Sequence, residues 1–133
     1  MIVNDPAVLA EAEAEFAAYE RALVNNDVAA LDGFFAASEH VIRYGGGENL
    51  YGFAAIQAFR AGRPSHGLAR RLEKTIITTY GRDMAIASTL FRRASAPGKV
   101  GRQMQTWMRL PEGWRVVAAH VSLIDDPDGG VGA

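Results

Sequence analysis

No helical period appears anywhere after Pro64, and that break constrains the fold of this chain more than any other feature. Downstream of it, "RRLEKTIITTY", "DMAIASTLFRRA", "KVGRQMQTWMRL" and "GWRVVAAHVSLI" read as four strands joined by the turn signals "GRD", "SAPG" and "PEG". Connections this short make an antiparallel meander. Upstream the texture is helical. "NDPAVLAEAEAEFAAYERALVNND" opens on Asp5 as N-cap with Pro6 at the first helical position, and Leu9, Ala12, Phe16, Tyr19 and Leu23 form one apolar face. Asn26 or Asp27 caps a shorter helix over "VAALDGFFAA", with Leu31, Phe34 and Phe35 on one side. "EHVIRYGGGENLYG" is a short β-like run ended by three glycines, and "FAAIQAFRAGR" has helical spacing at Phe53, Ile56 and Phe59. Helices first and strands afterwards define an α+β domain, with helices on one side of a curved sheet. The domain is expected over residues 1–124. The remaining "DDPDGGVGA", 125–133, has too little apolar content to pack and is expected to be a mobile tail with a solvated Asp125–Asp126 pair.

Composition removes whole classes of function. The 133 residues carry a net charge of −1 and a pI near 6.3, without the basic balance of a nucleic-acid surface. At 49% hydrophobic and 22% charged residues the chain reads as one globular unit. The absence of cysteine excludes disulfides, thiolate nucleophiles and cysteine-ligated zinc. His40, His66 and His120 have no metal-ligand spacing, and the sequence lacks a GxSxG elbow, a P-loop and a dinucleotide glycine motif. Chemistry here must use neutral or cationic side chains, with no cofactor and no metal. No apolar run approaches the roughly 18 residues of a membrane helix, and "MIVNDPAVLAEAEAEF" does not begin as a secretory leader. The expected place is the cytoplasm, away from membranes.

Within "GRQMQTW", alternation puts Gln103, Gln105 and Trp107 on one face, an unusual stripe for a pure packing surface. Through the "PEG" turn, odd positions of 99–110 pair with even positions of 114–123, so His120 and Ser122 join that face unless a β-bulge breaks the parity. Covered by helices, such a face would enclose amides and an imidazole that need a polar partner. Arg43 shares its face with Val41, either as a surface cation with its stem on apolar neighbours or as an inward guanidinium gripping a carboxylate, with Glu48 as internal counter-ion. Arg60 and Arg63 flank the apolar stripe of their helix, where they reach the cavity rim or cap the helix end. Tyr19 is a core tyrosine by default. As a functional group it would act as acid or orienter, or as a base beside a cation such as Arg43. His120 is equally open to a structural role or a functional one. On the opposite face Met104, Thr106 and Met108, with Val117, Ala119 and Val121, form an apolar stripe whose natural cover is a second subunit, giving a homodimer.

Three stretches, "FAAYERALVNNDVAALDGFF", "IRYGGGENLYGFAAIQAFRAGR" and "GRQMQTWMRLPEGWRVVAAHVSL", resemble the AtzH-like family, which includes the oxalurate-catabolism HpxZ proteins, within the nuclear transport factor 2-like, or SnoaL-like, superfamily. The resemblance spans roughly residues 5–124. It implies a cone-shaped fold of three N-terminal helices on a strongly curved, mostly antiparallel sheet, with a pocket at the wide end and a sheet-face homodimer. It also implies nitrogen-compound catabolism beside amidase-signature enzymes, and a hydrolase (amidohydrolase) activity on small carboxylated ureas or amides, such as 1,3-dicarboxyurea to allophanate. Tyr19 in "AAYERAL" and Arg43 in "VIRYGGGE" match the tyrosine and arginine the family needs for turnover. Arg60, Gln103, Gln105, Trp107 and His120 are then expected to bind an anionic amide or urea. The competing expectation is a non-catalytic small-molecule-binding protein or accessory partner of an amidase.

Overall fold

The computed structural model describes residues 1–126. The first helix, α1, spans Pro6–Val24; the Asp5 carboxylate accepts from the backbone N–H groups of Ala7 and Val8, as the N-cap predicts. Its buried face is Val8, Ala12, Phe16, Tyr19, Ala22 and Leu23, so Val8 rather than Leu9 takes the first inward position. Helix α2, Val28–Phe34, is capped by Asp27, and α3 runs over Phe53–Ala61. All three helices lie where the 3.6-residue period of apolar residues places them.

Six strands make one sheet: β1 Ile42–Tyr44, β2 Asn49–Tyr51, β3 Arg71–Tyr80, β4 Met84–Arg92, β5 Lys99–Leu110 and β6 Gly113–Asp125. Their order is β2-β1-β6-β5-β4-β3. The last four form the expected antiparallel meander. β1 and β2 close a hairpin over the glycine run, and β1 lies parallel to β6. Alternation alone misses β2, because three residues carry too short a pattern. Two irregularities bend the sheet. One lies between Glu73 and Ile76, where Lys74 takes a positive φ of 50°, and the other between Thr106 and Trp107. The helices and the inner face of the sheet enclose a core that includes Phe16, Tyr19, Leu31, Phe35, Ile56, Trp107, Trp114 and Val116. No helix among the described residues is long and apolar enough to cross a membrane.

The second bulge overturns the expected face assignment. Trp107 pairs with Val116, as parity predicts, but Val117 is the extra residue, so Gln105 pairs with Ala119, Gln103 with Val121 and Met104 with His120. His120 therefore does not share the face of Gln103 and Gln105; it is exposed on the outer face, edge-on to Tyr44 at 6.1 Å between ring centroids. The same shift turns Ala119 and Val121 inward and leaves Met104, Thr106, Ala118 and His120 outside. One inserted residue inverts every side chain beyond it.

The chain end also differs from expectation. β6 runs to Asp125, whose carboxylate accepts from Lys99 Nζ at 2.6 Å. Asp126 is buried, pairs with Arg92 Nη1 at 2.5 Å and donates its backbone N–H to Gly98. These two carboxylates are tied down because Arg92 and Lys99 of the neighbouring strands lie within reach. The rest of the expected tail, 127–133, lies outside the described residues.

Candidate functional site

Between α1, α3 and the inner face of the sheet lies a cavity of about 180 Å³, lined by Tyr19, Arg43, Glu48, Arg63, Arg70, Phe91, Arg93 and Gln103 among others. At ~30 Å³ per water, that is space for about six waters, or one small organic molecule.

Tyr19 reaches it from the fourth turn of α1. Phe34, Phe35 and Trp107 surround its ring at centroid distances of 6.0, 6.3 and 6.1 Å, which sets its orientation. Its hydroxyl has no hydrogen-bond partner among the described residues. Arg43 enters from β1, whose alternation sends Val41 and Arg43 inward and Ile42 and Tyr44 outward. The guanidinium donates to Glu48 Oε1 at 2.8 Å and lies over the Phe59 ring at 5.5 Å. That ion pair explains one glycine of the "GGG" run: a Cβ on Gly45 would stand 1.8 Å from Glu48 Oε1. Any side chain there would displace the carboxylate.

Arg70 was not singled out by any pattern in the sequence. Its Nε and Nη2 donate to the two oxygens of Glu20 at 2.8 and 2.5 Å, and its Nη1 donates to Gln103 Oε1 at 3.0 Å. A guanidinium thus fixes the Gln103 amide with its oxygen turned away, and Gln103 Nε2 is buried with no partner. Arg70 and Arg93 both stack on Phe91, at 4.6 and 4.8 Å from its centroid. Phe91 sits there because its strand partner is Gly101, where a Cβ would lie 2.1 Å from the ring.

Arg63, just past the end of α3, and Arg93, just past β4, make no ion pair among the described residues; Arg63 Nε and Nη2 and Arg93 Nε are buried without hydrogen-bond partners. Burial lowers the pKa of both guanidinium groups, and repulsion adds to it, from Arg60 and Arg43 on Arg63 and from Arg70 and Arg63 on Arg93. Shielded N–H donors left without an acceptor are costly, on the order of 1–3 kcal/mol each. An anion in the cavity would supply the missing acceptors.

Of the residues expected to form a site, Tyr19, Arg43 and Gln103 line this cavity, and so does Arg63, one of the two rim alternatives. The other, Arg60, does not reach it. It is 3% exposed, paired with Asp32 at 2.9 Å and stacked on Phe35 at 4.8 Å, because the residue four positions after Ile56 continues the buried stripe. Gln105 and Trp107 are buried and do not line the cavity; Gln105 Oε1 accepts from Trp107 Nε1 at 3.1 Å. His120 is on the opposite side of the sheet. Arg70, Arg93 and Phe91 escaped sequence reading because they sit at strand ends, where arginine ordinarily faces water.

An α+β sheet with three helices over one face and a polar hollow between them is the architecture of the nuclear transport factor 2-like fold. Within that class the chain belongs to the AtzH-like family, whose model matches residues 1–127. It is similar to the crystal structure of a protein with unknown function from Pectobacterium atrosepticum, at 59% identity and a TM-score of 0.90 over 92% of this chain and 95% of that one. A cystatin-like fold protein from Burkholderia xenovorans is 46% identical, with a TM-score of 0.92 over 96% and 99% of the two chains. An NTF2-like protein from Pseudomonas putida, 17% identical over 92% of this chain and 90% of its own, shares the fold at a TM-score of 0.74. No curated protein matches.

Proposed function

We propose that this protein is a cofactor-free hydrolase of small carboxylated ureas or amides, with Tyr19 and Arg43 as its catalytic residues. The observation that carries the reading is the meeting of a partner-free phenol and several guanidinium groups in one hollow of about 180 Å³. Guanidinium groups match carboxylates through paired N–H donors, and a fixed phenol is a proton donor at neutral pH. With dicarboxyurea as substrate, water adds its oxygen to one N-carboxyl carbon while the bond from that carbon to nitrogen breaks. The nitrogen gains a proton, and dianion plus water gives allophanate plus bicarbonate. Arg43 would hold the carboxyl and stabilise charge developing on it, and Tyr19 would deliver the proton to the departing nitrogen and recover one from the attacking water.

Purified wild type is expected to convert dicarboxyurea to allophanate, with Tyr19→Phe and Arg43→Ala each folded and slower by on the order of a hundredfold or more. Undiminished turnover in both variants would remove the site.

We also propose that the chain works as a homodimer through the outer face of the sheet, where Ile42, Tyr44 and Met104 are exposed beside Ala118 and His120.

A further inference from the structure

Four guanidinium groups line the cavity, and among the described residues two carboxylates pair with them: Glu48 with Arg43 and Glu20 with Arg70. Arg63 and Arg93 carry the two charges left over. They are also the groups whose buried N–H donors go unmatched, together with the amide nitrogen of Gln103, which is 3% exposed. Arg63 and Arg93 are half-buried, and their donors shielded from water have no acceptor, so this wall favours a ligand of opposite charge. Glu20 neutralises the charge of Arg70 by accepting from its Nε and Nη2, and Nη1 donates to Gln103 Oε1. The amide is thereby held with its N–H₂ as a donor toward the cavity wall.

We propose that Arg63, Arg93 and Gln103 Nε2 form a second carboxylate-binding locus, distinct from the Tyr19 and Arg43 pair, which makes the site selective for molecules carrying two negative charges. The identity of these groups as substrate-binding residues rests on the hydrolase reading; their selectivity for dianions does not. Two uncompensated cations match a dianion of a few heavy atoms, and they match a monoanion poorly, since one guanidinium then stays unpaired in the buried site. In the hydrolysis, one dianion becomes two monoanions, each of which satisfies only half of the wall. Product release follows from that loss of complementarity.

The test is calorimetric titration of the full chain at low salt and mildly alkaline pH. One titrant is malonate, and the other is malonamate, the same skeleton with one carboxylate replaced by a carboxamide. Wild type should bind malonate at least ~tenfold more tightly than malonamate. Arg63→Gln and Arg93→Gln should each lose about tenfold or more in malonate affinity while malonamate changes little. Equal affinity for the two ligands in wild type, or no binding of malonate, overturns the proposal even if neither variant folds. Variants that fold and keep wild-type malonate affinity overturn it as well. Dianion selectivity without any turnover of dicarboxyurea would instead remove the hydrolase reading and leave this locus standing.

Discussion

The fate of each arginine is decided by whether a carboxylate stands within reach. Arg43, Arg60 and Arg70 are all substantially buried, and each has its own acid: Glu48, Asp32 and Glu20. Arg63 and Arg93 have none among the described residues. Arg60 is therefore a fold-holding residue, and its guanidinium is spent on Asp32 and the Phe35 ring. Arg60→Ala should lower urea-measured stability by about 2–4 kcal/mol, toward the lower side of what breaking a buried pair costs because Asp32 keeps some access to water. Malonate affinity of the folded fraction should stay within about twofold of wild type, since nothing in the cavity wall is removed. A tenfold loss of affinity would place Arg60 back in the site. Spacing alone puts Tyr19 on the buried face of its helix, whereas Arg43 could equally have been a surface cation and the direction of Gln103 depended on which side of the sheet the helices cover. Spacing could not sort Arg60 from Arg63, because both are compatible with a helix-end cation and only the position of Asp32 on another helix separates them.

At the scale of elements, the site is carried by irregularities in otherwise regular strands. The bulge at Val117 reverses the face of everything after it in β6, sending His120 outside and Val121 toward the cavity. The cross-strand pair of Phe91 in β4 with Gly101 in β5 makes the platform on which Arg70 and Arg93 stack. That ring is fully buried, and a Cβ on Gly101 would push it toward the cavity it lines. Gly101→Ala is expected to cost about 1–3 kcal/mol as overpacking, seen as a lower urea midpoint with an unchanged slope. Because the ring moves with its two guanidinium groups, malonate affinity should fall in the same variant. A stable Gly101→Ala protein with full affinity would show that Phe91 does not position the arginines. The glycine was in plain view in "GRQMQTW", yet its reason lies on the neighbouring strand and no local pattern points to it.

For the whole molecule, the sheet separates two surfaces of opposite character. One side holds the helices and the cationic hollow; the other exposes Met104 at 55%, Ile42 at 38% and Tyr44 at 36%. Exposed large apolar groups gathered on one face mark a surface that is covered in use. A two-fold partner fits, because a sheet face can meet its own copy with the same residues on both sides. The Met104→Glu variant brings like charges into such a contact and should sediment and scatter as a monomer, against the dimer proposed for wild type. Its malonate affinity should be retained, as the cavity lies on the far side of the sheet. A wild-type monomer at micromolar concentration would end the dimer proposal.

What the linear order of residues determined here is everything governed by short-range periodicity. The three helices, the antiparallel meander and the inward direction of Tyr19 follow from repeats of 3.6 and 2 that local sterics impose on any chain. Tertiary structure alone decided which charges are matched. Whether a guanidinium meets a carboxylate depends on distances between residues far apart in sequence: Glu20 and Arg70 are 50 positions apart and Asp32 and Arg60 28. A single bulge, costing no more than one extra residue, set which side of the sheet each strand presents to the helices. Electrostatic complementarity is a property of three-dimensional separation, and for that reason the two unmatched cations could be found only in the folded molecule.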